Sequence, residues 1–283
     1  MTLLVSEEHL SAQAYQFIAE LVYEHSRIRL GSDKQALVSG RLAKRLRQLG
    51  LQSFDAYCEL LRSAAGAEEL GPLVDLISTN HTHFFRESAH LDYLRDVILP
   101  EFAPRLITRR VQLKVWSAAC SSGEEPYSIA ITLEEYARLH GAMGWQIDAT
   151  DISHRILEHA SAGIYSVDRV RLPSQDLLPR YFQKGVGTHS GQYRVKEALR
   201  QGVTFRHLNL LDPSYPVSPD QHVIFCRNVM IYFDHETQEQ LVNQLSGQLS
   251  PGGYLIVGHS ESLLGIRHSL KQVKPGIYRR MQS

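Results

Sequence analysis

The chain has 283 residues and no surplus of charge: 30 Lys and Arg stand against 30 Asp and Glu. Without a net field there is no long-range pull toward nucleic acid or an anionic membrane, so electrostatic recognition has to come from local clusters. No apolar run approaches the roughly 20 residues that cross a bilayer. The N-terminus, MTLLVSEEHL, lacks the basic flank of a secretory signal. These absences predict a cytoplasmic protein with no membrane insertion. Cysteine is scarce: Cys58, Cys120 and Cys226 are far apart and odd in number, which excludes a disulfide framework and a paired zinc motif. The 14 histidines form no HExxH pattern, so no metal site is assigned. A GxGxxG dinucleotide fingerprint is also missing.

What is present divides in two. From Ser6 to about Ile77 apolar residues recur at helical spacing without a convincing strand, predicting an all-helical domain over residues 1–78. Ser32 with Gln35 has the form of a capping box and Gly50 of a stop, which brackets a helix from about Asp33 to Leu49. On it Val38, Leu42, Leu46 and Leu49 share one stripe, while Lys34, Arg41, Lys44 and Arg45 share a neighbouring one. The bland reading of the second stripe is a solvated face. The functional reading is a docking surface for an acidic partner.

The junction Leu76–Glu87, LISTNHTHFFRE, runs into a linker over 79–90 that interleaves Asn80, Thr82 and Arg86 with two phenylalanines, and interdomain segments of this kind often line ligand sites. A helix from Leu91 is expected to end near Pro104. Strand and helix patterns then alternate over 91–283, with strands at Val111–Ala118, Gln146–Thr150, Val203–Leu208, Val223–Cys226 and Tyr254–Gly258. The segment between Ala162 and Gln201 is too long for a simple connection and reads as an inserted antiparallel β subdomain over 163–202. A closing hairpin is expected around Pro275 and Gly276.

Ligands of open α/β sheets bind beyond the carboxyl ends of the strands. Those ends carry Glu125 in ACSSGEEPYS, Asp151 in DATDIS, Asn209 with Leu210, and Arg227 with Asn228. Two glutamates occupy the place where a phosphate loop would present bare N–H groups, which disfavours a pyrophosphate and favours an amine- or sulfonium-bearing ligand. For Glu124 the better reading is that it complements the helix dipole. Asp151 suits ribose hydroxyls, or else caps the next helix; Asn209 and Leu210 suit an adenine edge.

NHTHFFRE, VWSAACSSGEEPYSIAITL, ATDIS, LNLL, FCRNVMIYFD and GHSES, in this order, resemble the chemotaxis receptor methyltransferases of the CheR family. The resemblance implies a Rossmann-like class I methyltransferase sheet carrying the helical domain and the β insertion. It implies transfer of a methyl group from S-adenosylmethionine to glutamate side chains of chemoreceptors, with S-adenosylhomocysteine as product. By motif position Asn80, Thr82, Arg86, Glu125, Asp151, Asn209, Leu210, Arg227 and Asn228 would contact the cofactor. Arg86 and Tyr232 would be catalytic. The helical domain would meet the cytoplasmic helical region of the receptor, and the insertion would grip a C-terminal receptor peptide in some members. A monomer is expected, and the runner-up reading is a cofactor-binding scaffold or sensor without turnover.

Overall fold

The computed structural model describes residues 9–282. It separates into two compact units, one of residues up to Thr79 with Tyr232–Asp234, the other of Asn80–Ile231 and His235 onward.

The first unit contains α1 (Ala12–Ser26), α2 (Gln35–Leu49), α3 (Phe54–Arg62) and α4 (Gly66–Ile77). Ser11 and Ser53 cap α1 and α3 by accepting from the third N–H beyond them, at 3.1 Å each. The core is mainly aliphatic, with Ile18, Val22, Val38, Leu42, Leu46, Leu73 and Ile77, and also buries Tyr15, Phe54 and Tyr57. Three expectations for α2 need correction. The Ser32–Gln35 capping box does not form; Ser32–Lys34 is a 3₁₀ turn, and the Gln35 amide donates to the Leu10 carbonyl at 2.7 Å. Gly50 does end the helix, with φ +70°, but Leu49 beside it is exposed. Of the cationic stripe, Arg41 and Arg45 do not face solvent freely. Arg41 donates to the carbonyls of Leu76, Ile77 and Ser78, closing the open end of α4. Arg45 grips Glu69 through two bonds of 2.8 and 2.6 Å, and Tyr57 donates to the same carboxylate at 2.9 Å. Lys44 and Lys34 stay exposed, Lys34 beside Asp33 at 2.9 Å. The Tyr232 carbonyl accepts from the Arg29 N–H at 3.0 Å, and the Tyr23 hydroxyl donates to Asp234.

The second unit runs α5 (Ser88–Tyr93), a π-helical turn (Leu94–Ile98), α6 (Leu99–Arg109), β1 (Leu113–Ala118), α7 (Glu124–His140), β2 (Trp145–Asp151) and α8 (His154–Ala162). It continues through β3 (Ile164–Ser166), α9 (Leu177–Tyr181), β4 (Phe182–Lys184), β5 (Gln192–Val195), α10 (Glu197–Arg200), β6 (Val203–His207) and β7 (Gln221–Cys226). It closes with α11 (His235–Gln248), β8 (Leu249–Val257), β9 (Lys271–Lys274) and β10 (Ile277–Arg279). The expected stop near Pro104 is wrong: α6 runs through it to a left-handed Arg110. An interior proline costs a helix about 3 kcal/mol. Burial of Leu99 and Leu106 on the same face offsets this, at roughly 1.5–3 kcal/mol each.

The seven strands lie in the order β6-β2-β1-β7-β8-β10-β9, with β10 and β9 antiparallel and the others parallel. The chain leaves β1 toward β2 and later returns to its other side as β7, making the gap between β1 and β7 the switch point where such sheets bind ligands. Register sharpens this: Ala118 pairs with both Thr150 and Cys226, bringing the three following loops to one level. The inserted segment is a separate sheet of order β3-β5-β4, antiparallel throughout.

Candidate cofactor site

Beyond β7, Arg227 is 6% exposed and makes three contacts: Nη1 donates to Glu125 Oε2 at 3.0 Å, and Nη2 to Glu87 Oε2 at 3.0 Å and to the Arg86 carbonyl at 2.6 Å. Asn228 adopts φ +58°, a conformation asparagine tolerates. Its amide donates to Glu87 Oε1 at 3.2 Å, and its N–H to Glu261 at 2.7 Å. The Glu261 carboxylate also gathers the N–H groups of Met230 and Gly258, fixing the loop; burial still pushes its carboxyl up. Glu125 accepts from the Ser117 hydroxyl at 2.7 Å; its burial raises the carboxyl, against the pull of Arg227. At the end of β2, Asp151 accepts from the N–H of Ser121 at 2.8 Å and of Ser153 at 3.1 Å, while Ser153 rather than Asp151 caps α8.

The structure therefore brings Glu125, Asp151, Arg227 and Asn228 to one rim, with the Arg86 backbone. The Arg86 side chain turns to the His81 carbonyl at 2.8 Å, and Asn80 and Thr82 lie half-buried in the coil before it. Asn209 folds its side-chain oxygen back on the Leu211 N–H at 3.1 Å, and the carbonyl of buried Leu210 accepts from the Tyr215 hydroxyl at 2.6 Å.

Two residues of this site escaped the sequence reading, and a third carries more than that reading gave it. Glu87 is the hub, joined to Arg227, to Asn228 and to the His259 N–H at 3.2 Å. Burial alone would raise its carboxyl, but Arg227, Asn228 and His259 together hold it down at about 2. Its signal was its place directly after Arg86 in NHTHFFRE, as that of Glu261 was the GHSES motif. Glu124 is the third, and the dipole reading of it is incomplete. It is fully buried, accepts from Ser122 Oγ at 2.6 Å, and pairs with Arg169 from the insertion.

Glu87, His90 and His259 place potential metal-ligand atoms within 4.8 Å of one another. Both Glu87 oxygens are already engaged, and the Arg227 guanidinium beside them opposes a further cation. His90 is 2% exposed, its Nδ1 3.4 Å from Glu87. Burial first, then Arg227, lowers its pKa to about 4. Between pH 6.5 and 4 the unfolded chain binds a proton that folded His90 refuses, so this contribution is complete above pH 6.5 and declines as pH falls toward 4. The unaltered chain is expected to lose about 2 kcal/mol more than His90→Gln between pH 7 and pH 5, measured by urea unfolding. Equal losses in the two proteins would remove His90 as the cause. The three thiols are buried and pushed up by that burial, which disfavours their use as nucleophiles.

One guanidinium between Glu87 and Glu125, with Asp151 at the end of the neighbouring strand, leaves the rim acidic, the charge a cationic ligand needs. Two buried polar groups there, Arg227 Nε and Ser121 Oγ, have no hydrogen-bond partner. Such orphans call for a ligand or water.

Models of the CheR methyltransferase all-alpha domain and of the CheR methyltransferase SAM-binding domain match residues 13–78 and 80–278. The chain belongs to the CheR methyltransferase family. The chemotaxis protein methyltransferase of Borreliella burgdorferi is 38% identical over 266 residues, covering 93% of this chain and 92% of that protein. Those of Salmonella typhimurium and Escherichia coli are 42% and 41% identical over 254 residues, covering 89% of this chain and 85% of each. As a CheR methyltransferase the protein uses S-adenosylmethionine, and the acidic rim with its orphaned donors fits that sulfonium-bearing cofactor. Among the described residues no helix is long and apolar enough to cross a membrane.

Proposed function

We propose that this CheR methyltransferase acts in the cytoplasm as a monomer, esterifying glutamate side chains on the cytoplasmic helical region of chemoreceptors for chemotactic adaptation. The observation that carries the reading is Arg227, buried at the switch point between Glu87 and Glu125, in a chain that matches both family domains. Asn80, Thr82, Arg86, Glu125, Asp151, Asn209, Leu210, Arg227 and Asn228 are the proposed cofactor contacts. When bound, S-adenosylmethionine supplies the methyl on its sulfonium. A glutamate, with an ordinary pKa of about 4.3, is ionised at neutral pH, so no residue of the chain has to act as its base. The work left to the protein is to orient the two reactants and exclude water. Arg86 is the proposed forked partner of a carboxylate, and Tyr232 the hydroxyl that aligns the nucleophile.

For receptor contact the exposed Lys34 and Lys44 are the proposed cations; Arg41 and Arg45 serve the helical unit first. The small β3-β5-β4 sheet is the proposed grip for a C-terminal receptor peptide. The direct test is calorimetric binding of S-adenosylmethionine followed by radiolabelled transfer to receptor cytoplasmic fragments. Base-labile label on the receptor supports the reading, whereas binding without label would favour a scaffold or sensor. With cofactor saturating, Tyr232→Phe and Arg86→Ala are each expected to slow single-turnover methylation about 10²-fold, the scale of a lost transition-state contact. Unchanged rates in both would end these assignments.

A further inference from the structure

The loop from Ala119 to Glu125 is held in an unfavourable backbone conformation. Ala119 and Ser121 adopt φ +64° and +49°, and Gly123 +92°. Left-handed backbone is unfavourable at a residue with a Cβ, so surrounding contacts must impose it. Two come from the neighbouring strand: the Cys120 N–H donates to Thr150 and the Ser121 N–H to Asp151, both at 2.8 Å. The others reach across from the insertion. Tyr165, on β3, donates its hydroxyl to the Ser122 carbonyl at 2.7 Å. Arg169, in the turn after β3, donates to Ser122 Oγ at 2.8 Å and pairs with the fully buried Glu124. A Cβ on Gly123 would lie 2.8 Å from the Tyr165 hydroxyl, so the fit leaves no slack.

Arg169 is itself set in place. Its N–H closes a turn to Ser166 at 3.0 Å, and its guanidinium lies 5.8 Å from the centre of the Tyr165 ring. Glu124 precedes Glu125, whose carboxylate holds Arg227. A shift of β3 would therefore move Ser122 and Glu124, and with them the acid that faces the cofactor rim.

We propose that Arg169, backed by Tyr165, is a positioning residue for the cofactor loop and makes cofactor affinity depend on the state of the inserted sheet. This rests on the reading that the loop carrying Glu125 holds S-adenosylmethionine. Because coupling between two binding events is reciprocal, a peptide that engages the sheet and a nucleoside that fills the rim alter each other's affinity by the same factor.

The test compares the full-length unaltered chain with Arg169→Ala, Arg169→Lys and the double variant Glu124→Gln/Arg169→Ala, by calorimetric titration with S-adenosylmethionine, methyl-transfer kinetics and thermal unfolding. The double variant leaves no unpaired buried charge and keeps the test open should Arg169→Ala fold poorly. The expected result is a Kd and KM for S-adenosylmethionine raised about tenfold in Arg169→Ala and in the double variant, within the range by which packed neighbours couple. The kcat at saturating cofactor should change little, and Arg169→Lys should recover most of the affinity. A lowered melting temperature with unchanged Kd and KM would make Arg169 a structural residue and overturn the proposal. Failure of the underlying reading is distinguishable: Glu125→Gln binding as tightly as the unaltered chain would take the loop out of the cofactor site, whatever Arg169 does.

Discussion

Arg227→Ala is expected to abolish calorimetrically detectable S-adenosylmethionine binding and to lower stability by about 3–5 kcal/mol, the cost of removing one partner from a buried ionic cluster. Two carboxylates depend on this guanidinium. Glu87, held at about 2, would lose the partner that most opposes its desolvation, and Glu125 would lose the only cation bonded to it among the described residues. The Arg86 carbonyl would lose its donor as well. The two effects separate in Glu87→Gln/Glu125→Gln/Arg227→Met, which removes all three charges of the cluster and should regain most of the stability without regaining cofactor binding. Urea unfolding followed by circular dichroism gives the first quantity and calorimetry the second. Full cofactor binding by either variant would remove Arg227 from the site.

The second large effect is expected in the helical unit. Arg45→Glu sets an acid against Glu69, which is 6% exposed and already accepts from Tyr57. The bidentate pair is lost and a like charge takes its place, costing about 3–5 kcal/mol. Whole domains are typically stable by only about 5–15 kcal/mol, so this change removes a large share of the unit's stability and should raise its opened population at 37 °C by at least about a hundredfold. Lys44→Glu, on the exposed face of the same helix, should stay within about 0.5 kcal/mol of the unaltered protein. The pair separates two meanings of a lost receptor interaction. Limited proteolysis should cut the Arg45→Glu protein within the first 79 residues and leave Lys44→Glu intact; equal resistance in both would sink the argument.

This contrast also shows where local pattern stops being informative. Apolar periodicity placed α2 and its Gly50 stop, because both are properties of neighbours in sequence. It could not show that Arg41 ends on the carbonyls of α4, or that Glu69 waits for Arg45, since those partners lie 24 to 37 residues away. The Ser32 cap failed for a related reason: Gln35 found a better acceptor in Leu10, 25 residues back. In the second unit the strand cores were readable as short β-branched runs, and the polar residues at their ends followed from the logic of parallel sheets. Glu87 did not, because nothing in its own segment marks it as the partner of an arginine 140 residues later. Glu124 does stand in the first turn of its helix, but its pairing with Arg169 was not legible, because that arginine lies 45 residues away in a subdomain whose position no periodicity reveals.

That 140-residue separation bears on how the protein acquires its activity. Contacts between distant parts of a chain require large loops to close first, and folds dominated by them form slowly. The strands flanking the switch point, β1 and β7, are themselves divided by two other strands of the sheet and by the whole insertion. The unit β1–α7–β2 supplies Glu125 and Asp151, but the acidic rim is not complete in any single hairpin or βαβ unit, since Glu87 and Arg227 lie outside it. During synthesis it is completed only after β7 has docked, and Glu87 then remains an uncompensated carboxylate until Arg227 arrives. Competence to bind the cofactor is thus a late event in maturation, and a chain interrupted before β7 would carry both acids without the cation that joins them.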